Sequence, residues 1–426
     1  MKLKKKYDVI IIGGGTAGSA CAYICGKNNL KTLLIEKESY LGGSITSSLV
    51  IPAMKTAKNA INTAFFNDLY DNLYKINGSI TYIDGNNGWF NPELVKITLD
   101  KMMKDSHVDV LFETNIQNVK ENLSSYNVTI HDDNSLVNSK DLLESIETKY
   151  IVDTTGDAKI CQLLNFEFLK NDNSTQPVNL RFIMSGINTK KFTQWIMDID
   201  KDRNVTTSAE LDNGIYMSTA YTWDTNRNWA LAPCFKEAVA KGVLLEEDTN
   251  YFQLFSVAGT TDSIAFNAPR LLNSKLSRSE IYIKGRESIF RLSQFCKKYL
   301  PGFENAYISS IANKIGVRIS NRVKCKYIYT KDDLLSGKKF DNPAVISNYP
   351  IDIHSKDKNK SVLKQVFREY QLPIEALMVK DNFYVAGRCL SAEFEAQAAL
   401  RIIPSCCSMG EAVAKDIAGK IKHQNC

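Results

Sequence analysis

The sequence of 426 residues has no apolar run that approaches the roughly 20 residues required by a membrane-spanning helix. It contains ten cysteines, but these follow no regular spacing and form no C-x-x-C motif. In a chain of this length, such cysteine usage is typical of a reducing compartment. We therefore expect a cytoplasmic protein that does not enter a membrane and has no dithiol relay. We expect no metal site.

The chain also lacks a strong excess of charge of either sign. Its 53 lysines and arginines against 47 acidic residues give a formal net charge of +6, and the lysines are interleaved with acids. This pattern indicates a solvated surface, so we expect no nucleic-acid partner. With 44% hydrophobic and 23% charged residues, the composition is that of a globular protein long enough for two domains.

Among the 22 glycines, a G-x-G pair occurs only at Gly13 and Gly15, and Gly18 completes the spacing G-x-G-x-x-G. The motif follows an apolar run, Val9 to Ile12, that is typical of a buried parallel strand. Gly13 permits a tight turn, Gly15 leaves room for a pyrophosphate, and Gly18 lets the following helix lie close to the sheet. The free N–H groups at the start of that helix favour phosphate. The segment therefore predicts a dinucleotide site.

An acidic residue stands where the ribose of such a dinucleotide is bound. Glu36 follows a second apolar strand, Lys31 to Ile35, and a carboxylate at this position accepts hydrogen bonds from the ribose hydroxyls. Because a carboxylate disfavours a 2′-phosphate, the motif fits FAD or NAD and not NADP. The absence of a second G-x-G elsewhere argues against a separate nicotinamide-binding domain.

Three further segments favour FAD over NAD. Gly42 and Gly43 lie in a loop that resembles the one that flavoprotein oxidoreductases place beside the isoalloxazine ring. An apolar strand that ends in Thr155-Gly156-Asp157 resembles the segment that returns to the FAD domain in those proteins. A third strand runs into Gly387 shortly before a predicted helix, Pro404 to Ile421.

With these segments in place, the chain resembles the FAD-dependent oxidoreductase family of the glutathione-reductase-like flavoprotein superfamily. The resemblance covers most of the chain in order and continues through QPVNLRF (176–182), PGFENA (301–306), GVRIS (316–320), YPIDIH (349–354) and the segment 386–414. In GVRIS, Ile319 replaces the acid that the family usually carries, so any role of that acid is absent here.

The resemblance implies an α/β fold, in which a Rossmann-like FAD-binding domain is assembled from both chain ends around an inserted α+β substrate domain. We expect the FAD-binding domain at residues 1–160 and 351–426 and the substrate domain at residues 161–350. The candidate cofactor-binding residues are Gly13, Gly15, Thr16, Ala17, Gly18, Glu36, Lys37, Gly42, Gly43, Ser44, Thr155, Gly156, Asp157, Gly387, Arg388, Pro404 and Met409. No histidine lies near Gly43, so we expect noncovalent FAD.

Three residues are candidates for catalysis. Arg401 precedes the helix expected to face the pyrimidine end of the flavin, where its charge and the helix dipole would stabilise the reduced cofactor. His354 follows Asp352 by two residues, which on a strand predicts an acid/base with its orienting carboxylate, or a structural pair. Arg318 is a candidate contact for a substrate anion or the flavin, or a buried salt bridge.

The pattern also predicts local structure. Asn91-Pro92-Glu93 is typical of a helix start, and we expect that helix to end near Lys104. We expect a strand at 109–114, an antiparallel excursion at 117–130, polar surface at 132–147 and one half-buried strand along 178–184. Gly410, Ala414 and Ala418 recur at helical spacing and predict close packing on the sheet.

We expect an enzyme that transfers a hydride between a small organic substrate and flavin N5, since the flavin performs this chemistry. Two alternatives remain open: an FAD-dependent protein that modifies tRNA or forms thiazole, and a non-catalytic binding module of the Rab-escort kind. The adjacent Cys406 and Cys407 are either a redox pair or buried small residues, and Cys389 has the same two interpretations. The oligomeric state is not predicted.

Overall fold

The computed structural model describes residues 3–131, 143–170, 176–221, 229–271, 276–354, 361–366 and 368–424. Most of the polar segment expected at 132–147 lies outside these residues.

Twenty-two strands and eleven α-helices lie in the described part of the chain. The strands are β1 (Lys6–Ile12), β2 (Thr32–Ile35), β3 (Ser79–Ile80), β4 (Trp89–Phe90), β5 (Asp109–Leu111), β6 (Asn115–Glu121), β7 (Tyr126–His131), β8 (Leu143–Asp153), β9 (Val178–Asn179), β10 (Phe182–Ser185), β11 (Thr206–Leu211), β12 (Gly214–Tyr221), β13 (Phe252–Ser256), β14 (Ile264–Phe266), β15 (Arg270–Leu271), β16 (Tyr307–Ile311), β17 (Pro343–Ser347), β18 (Ile351–His354), β19 (Ser361–Lys364), β20 (Tyr370–Pro373), β21 (Met378–Lys380) and β22 (Phe383–Val385). The helices are α1 (Thr16–Lys27), α2 (Ser44–Ser47), α3 (Ala64–Tyr74), α4 (Pro92–Asp105), α5 (Lys159–Leu163), α6 (Thr189–Ile199), α7 (Ala232–Ala240), α8 (Arg278–Tyr299), α9 (Lys331–Ser336), α10 (Phe394–Leu400) and α11 (Ile403–Gln424).

A parallel sheet is built from the two ends of the chain. Its order is β22-β8-β1-β2-β5, and β21 pairs antiparallel with β22 at one edge. The central strands are fully buried apolar runs, as in β2, because helices cover the sheet. The α/β class and the parallel sheet are therefore confirmed. The glycine turn after β1 and the turns after β8 and β22 lie at the same edge, since the carboxyl ends of parallel strands meet there.

The first and last helices of the chain pack against each other. A Cβ built on Gly410 of α11 would lie 2.0 Å from the carbonyl oxygen of Ala17 in α1. The expectation that Gly410 faces the sheet is therefore wrong, because the close approach that requires glycine is between the two helices. Helix α11 in this way fixes the position of α1 and of the glycine turn that begins it.

A second sheet, of six antiparallel strands, has the order β11-β12-β13-β14-β10-β16. Helix α8 contributes Ile289, Leu292 and Phe295 to the hydrophobic core of this part of the molecule. The single strand expected along 178–184 is instead two short strands: β9 pairs with β15, and β10 joins the second sheet. They separate because Asn179 bridges to Gly316, which lies in neither sheet.

The domain limits stay a prediction, and the cores do not follow them closely. Tyr329 and Val345, inside the segment expected to be the substrate domain, pack in the core that contains β1 and α1. Leu49 and Trp89, from the N-terminal segment, pack instead in the core of the second sheet.

Several local expectations are met. Asn91 caps α4 by accepting hydrogen bonds from the N–H groups of Glu93 and Leu94, and β6 and β7 form the expected antiparallel excursion. The expectation of polar surface is wrong for Leu143 to Glu147, which form the start of β8 and pair with β7. No helix in the described ranges is both long and apolar enough to cross a membrane.

Candidate functional site

A large cavity lies at the carboxyl ends of the parallel strands and extends to the second sheet. Its volume is about 1270 Å³, and residues of both hydrophobic cores line it. Single-ligand pockets usually measure about 300–1,000 Å³. The cavity therefore has room for a dinucleotide together with a second small molecule.

The glycine turn has the geometry that its sequence predicts. Gly13 has a φ of +105°, which a residue with a Cβ rarely adopts. A Cβ on Gly18 would lie 1.8 Å from the carbonyl oxygen of Gly13, so this position requires glycine for the helix to approach the strand. Helix α1 begins at Thr16 with no acid in its first turn, and Thr16 lines the cavity. The turn thus presents a helix N-terminus suited to an anion.

Glu36 lies at the end of β2 and lines the same part of the cavity. Its Oε2 accepts a hydrogen bond of 2.6 Å from the N–H of Gly14, and its Oε1 accepts one of 3.0 Å from the N–H of Glu38. These two bonds hold the carboxylate beside the glycine turn. Each oxygen has a further lone pair, which is what a ribose diol needs.

The loop after Glu36 touches the glycine turn directly. Gly43 has a φ of +55°, and a Cβ on it would lie 2.7 Å from the Cα of Gly15. A Cβ on Gly15 itself would meet no protein atom nearer than 3.9 Å, that of the Gly43 Cα. The two glycines therefore form a cradle with a bare backbone wall, which any side chain at Gly43 would fill.

The turn after β8 is held by a buried carboxylate. Asp153 accepts hydrogen bonds from the N–H groups of Thr155, Ile160 and Cys161 and from the Thr155 hydroxyl. Burial raises the pKa of Asp153, although these bonds oppose the shift. Asp153 is a positioning residue that the sequence did not single out. It sets the course of the chain through Thr155 at the cavity wall.

Arg388 joins the turns after β8 and β22. Its Nη2 donates to Asp157 Oδ1 at 2.8 Å, and its Nη1 donates to the carbonyl of Val317 at 2.8 Å. Burial opposes ionisation of Asp157, but the guanidinium of Arg388 outweighs it, and the pKa of Asp157 is lowered. The pair therefore remains charged and fixes two of the predicted cofactor-binding segments relative to each other.

Arginines from distant segments line the part of the cavity beyond these turns. Arg181 donates one hydrogen bond of 3.3 Å, to the carbonyl of Leu49. Arg318 donates to the carbonyl of Pro177 at 2.6 Å and to Asn179 Oδ1 at 2.8 Å. Burial lowers the pKa of Arg181 to about 10 and that of Arg318 to about 9, and the positive charge of Arg401 adds to both shifts. Both side chains remain cationic at neutral pH.

One carboxylate, Asp352, lies among these cations. Its Oδ2 accepts a hydrogen bond of 3.0 Å from Arg401, and its Oδ1 lies 3.3 Å from His354 Nε2. Burial opposes ionisation of Asp352, but His354 and the guanidinium of Arg401 lower its pKa below the usual range. Asp352 is therefore an anion already engaged by two neighbours.

The tautomer of His354 follows from its partners. Arg270 Nη2 lies 2.8 Å from Nδ1, and a guanidinium only donates, so Nδ1 accepts and Nε2 carries the proton towards Asp352. Burial, and then the charge of Arg318, lower the pKa of His354 to about 3, so the ring is neutral at physiological pH. Both ring nitrogens are engaged by protein. The catalytic role of His354 stays a prediction, and the geometry favours the structural pairing.

With this geometry described, comparison with known proteins identifies the family. The model of the family described as FAD dependent oxidoreductase matches residues 8–425. The chain belongs to this family.

Curated relatives of this family member match over short segments. It is 41% identical over 54 residues to digeranylgeranylglycerophospholipid reductase of Methanococcus vannielii, covering 13% of this chain and 14% of the relative. It is 40% identical over 74 residues to dihydrolipoyl dehydrogenase of Mycoplasma pneumoniae, covering 17% of this chain and 16% of the relative. The matches thus span about one-seventh of the length of those relatives.

Among solved structures, a geranylgeranyl bacteriochlorophyll reductase-like protein from Thermoplasma acidophilum is 12% identical, with a TM-score of 0.47 over 99% of this chain and 80% of that chain. A variant of the halogenase PltM in complex with FAD is also 12% identical, with a TM-score of 0.48 over 98% of this chain and 70% of that chain.

The residues of this FAD dependent oxidoreductase fit the cofactor that its family implies. The bare glycine cradle and the carboxylate of Glu36 stand at one end of a cavity large enough for FAD. Most of the predicted cofactor-binding residues line that cavity: Gly13, Gly15, Thr16, Ala17, Glu36, Lys37, Gly43, Ser44, Thr155, Gly156, Asp157, Gly387 and Arg388. All three predicted catalytic residues line it as well, namely Arg318, His354 and Arg401.

Four predicted cofactor-binding residues lie behind the cavity wall rather than on it. Gly18 packs on the Gly13 carbonyl, Gly42 packs on Thr46, and Pro404 and Met409 are buried. Their roles as cofactor contacts stay predictions. At the start of α11 the wall is formed instead by Ile402, Ile403 and Cys406.

Several polar residues in and beside the second sheet line the cavity, and they were not identified as site residues from the sequence. Asn267 donates to Tyr251 and Gln253 and accepts from Asn179, and all four side chains belong to the wall. The sequence signal for this wall is Arg181, a charged residue between the apolar Leu180 and Phe182.

The three cysteines with two interpretations are free thiols in the structure. Burial raises the pKa of Cys406 to about 11 and raises those of Cys389 and Cys407 as well. A protonated thiol is a poor nucleophile, so the geometry favours their interpretation as buried small residues.

Proposed function

We propose that this member of the FAD dependent oxidoreductase family transfers a hydride between a small organic substrate and N5 of a noncovalently bound FAD. The observation that carries the proposal is the continuity of the cavity, which joins the glycine cradle to the group of arginines. FAD, when bound, supplies the hydride chemistry. We also propose membership of the wider glutathione-reductase-like superfamily, supported by the sheet order and the three segments at its edge.

The protein's part in this reaction is to bind, orient and set charge. The N-terminus of α1 and the cradle would bind the pyrophosphate, and Glu36 the ribose. Arg401, beside the N-terminus of α11, would supply positive potential at one end of the cofactor, tempered by its ion pair with Asp352. The buried walls would exclude water from the substrate position.

The visible spectrum of the purified protein tests the cofactor. We expect the two absorption bands of oxidised flavin, and bleaching of those bands under anaerobic conditions with a reduced or oxidisable substrate. A colourless, folded protein that takes up no added FAD would contradict the proposal and favour a binding module without catalysis.

A glycine substitution tests the pyrophosphate position. Gly15→Val places its Cβ 3.9 Å from the Cα of Gly43, and the backbone at this position is extended, so the fold tolerates the substitution. The branched side chain would occupy the phosphate position and abolish FAD binding. Gly419→Ala, a glycine with open space around it, is the control and keeps FAD. Full flavin content in folded Gly15→Val would place the pyrophosphate elsewhere.

We also propose a cytoplasmic location, supported by the free thiols of the nine cysteines in the described residues. Selective labelling of cysteines in intact and lysed cells tests this location, since a protein outside the reducing compartment would carry oxidised cysteines.

A further inference from the structure

Two arginines that line the cavity, the half-buried Arg181 and the buried Arg318, donate no hydrogen bond to an acid in the described part of the chain. Among the residues that the structure describes, neither Arg181 nor Arg318 forms an ion pair with a carboxylate. Their hydrogen bonds go to carbonyl groups and to Asn179, and these neutral acceptors do not cancel the charge. Asp352, the acid of this region, is bonded to Arg401 and His354, and its charge offsets that of Arg318 only in part, since the pKa of Arg318 stays lowered. A guanidinium that is withdrawn from water without an ion-pair partner is costly, and a site that holds two such groups is suited to an anionic ligand.

The position of these arginines separates them from the expected phosphate position. Arg181 lies between β9 and β10, and Arg318 lies beside the bridge between Asn179 and Gly316. The anion-binding turn of Gly13 and Thr16 belongs instead to the parallel sheet and its first helix. The cavity therefore has two regions suited to an anion, the glycine turn and the arginine region (Arg181 and Arg318), and the pyrophosphate would occupy the first.

An aromatic wall lies in the same cavity as the arginine region. Tyr82 stacks on Trp89 with ring centroids 4.2 Å apart, and the edge of Trp89 meets Phe255 at 5.9 Å. All three rings line the cavity. They form an aromatic surface that would cover one side of a ring or an unsaturated chain.

Strand β13 gives the distance between the arginine region and the aromatic wall. Its cavity face carries Gln253 and Phe255, since alternate residues of a strand share a face, and Tyr251 just before it lines the cavity too. Tyr251 marks the arginine region, because its hydroxyl interacts electrostatically with Arg181 and Arg318. Four residues at about 3.4 Å each separate Tyr251 from Phe255 by roughly 14 Å. A ligand that spans both regions therefore has an apolar body of about that length or less.

We propose that the substrate is an organic oxyanion whose charged end is bound by Arg181 and Arg318 and whose apolar body lies against Tyr82, Trp89 and Phe255. The inference rests on the proposed function, since it names the substrate of that same cavity. Guanidinium groups bind the planar carboxylate and the phosphate group alike, in both cases through paired N–H donors. The two sources of the charge are distinguished by experiment.

Calorimetric titration of the FAD-loaded protein tests the proposal, with the flavin spectrum as a second readout. The probes are 3-phenylpropanoate, 2-phenylethylphosphonate, acetate and the neutral 3-phenylpropanamide. We expect a phenyl-bearing oxyanion to bind at least about tenfold more tightly than acetate, because acetate has no ring to bury. We expect the same margin over the amide, because the amide carries no charge. Tighter binding of the phenylpropanoate identifies the charged group of the substrate as a carboxylate. Tighter binding of the phosphonate identifies it as a phosphate-type group.

Matched arginine variants locate the charge. Arg181→Gln should weaken binding of the preferred oxyanion by roughly ten- to a hundredfold, because it removes a buried charged donor, and Arg181→Lys should restore part of the affinity. Arg203 also lines the cavity but is exposed and bonds to the carbonyls of Met197 and Asp200. Arg203→Gln is therefore the control and should change affinity less than about twofold.

The outcomes separate this inference from the proposed function. A flavin-free protein contradicts the proposed function. A flavin-loaded protein that binds none of the three anions, or binds the amide equally well, overturns the oxyanion substrate alone. Loss of FAD from folded Arg181→Gln or Arg318→Gln would also overturn it, because the arginines would then belong to the cofactor site.

Discussion

The contact between the first and last helices allows a prediction from two glycines of one helix. Gly410 and Gly419 both lie in α11, so replacement of either by alanine brings the same gain in helix propensity, about 1 kcal/mol. Their surroundings differ. The new Cβ at Gly410 would lie 2.0 Å from the Ala17 carbonyl oxygen and 3.0 Å from the Cys21 nitrogen, whereas the one at Gly419 would meet no atom within 4 Å.

The size of the effect follows from these distances. Ordinary contact begins at 3.4 Å, so α1 must shift by about 1.4 Å to admit the methyl group of Gly410→Ala. Overpacking costs about 1–3 kcal/mol, and the upper part of this range applies because the obstacle is backbone rather than a flexible side chain. After the gain in propensity, we expect a net loss of roughly 2 kcal/mol for Gly410→Ala and a gain of about 0.5–1 kcal/mol for Gly419→Ala.

Urea unfolding of both variants and the wild type, followed by circular dichroism, measures these changes. Because α1 carries the glycine turn, Gly410→Ala should also lower the FAD content, while Gly419→Ala should not. The reasoning fails if Gly410→Ala is as stable as Gly419→Ala and retains all of its FAD.

Three further predictions concern charge and cofactor. The pKa of His354 is about 3 in the native protein, against an ordinary value of 6.5. Between these two pH values the unfolded chain binds a proton at His354 that the native protein does not bind. The free energy of unfolding should therefore fall as the pH falls from 7 to 5, by up to about 1.4 kcal/mol per unit, and His354→Gln should flatten this slope in urea titrations. Arg401→Gln should lower the flavin reduction potential and Asp352→Asn should raise it, and unchanged midpoints in two flavin-replete variants would leave the ion pair a structural role only. Acid precipitation should release intact FAD into the supernatant, and flavin retained in the pellet would reveal a covalent bond.

The dinucleotide-binding turn was predictable because its determinants are local. The strand, the glycine spacing and the acid after the second strand lie within residues 7–36, and the demand for glycine at Gly13 and Gly18 arises within the turn itself. The positive φ of Gly13 and the close approach at Gly18 are of this kind. The same holds for the cap at Asn91, whose partners are two and three residues away.

The substrate end of the cavity was less predictable because it is assembled from distant segments. Arg181, Tyr251, Arg318 and Arg401 are separated by dozens of residues and meet only when the second sheet packs beside the first. Arg318 and Arg401 were identified through a family resemblance, not through a pattern of their own. Arg181 lies between the apolar residues Leu180 and Phe182, and the sequence alone does not show that its charge borders a cavity.

Two errors have physical reasons. The alternation along Val178 to Met184 predicted one half-buried strand, but both faces are buried because β9 and β10 join different sheets. The composition of 143–147 predicted polar surface, but this segment forms the start of β8 and pairs with β7. Ser145 is exposed and Ile146 is buried, which is the alternation of a strand with one covered face.

The contact between α1 and α11 also has a consequence for biosynthesis. Gly18 and Gly410 are 392 positions apart, and at about 5–20 residues per second a ribosome needs roughly 20–80 s to add that length of chain. Throughout this interval the phosphate-binding turn lacks the helix that supports it, and β8 lacks β22. Capture of FAD is therefore expected to follow synthesis of β22 and α11. Until then, the apolar face of α1 is exposed to chaperones.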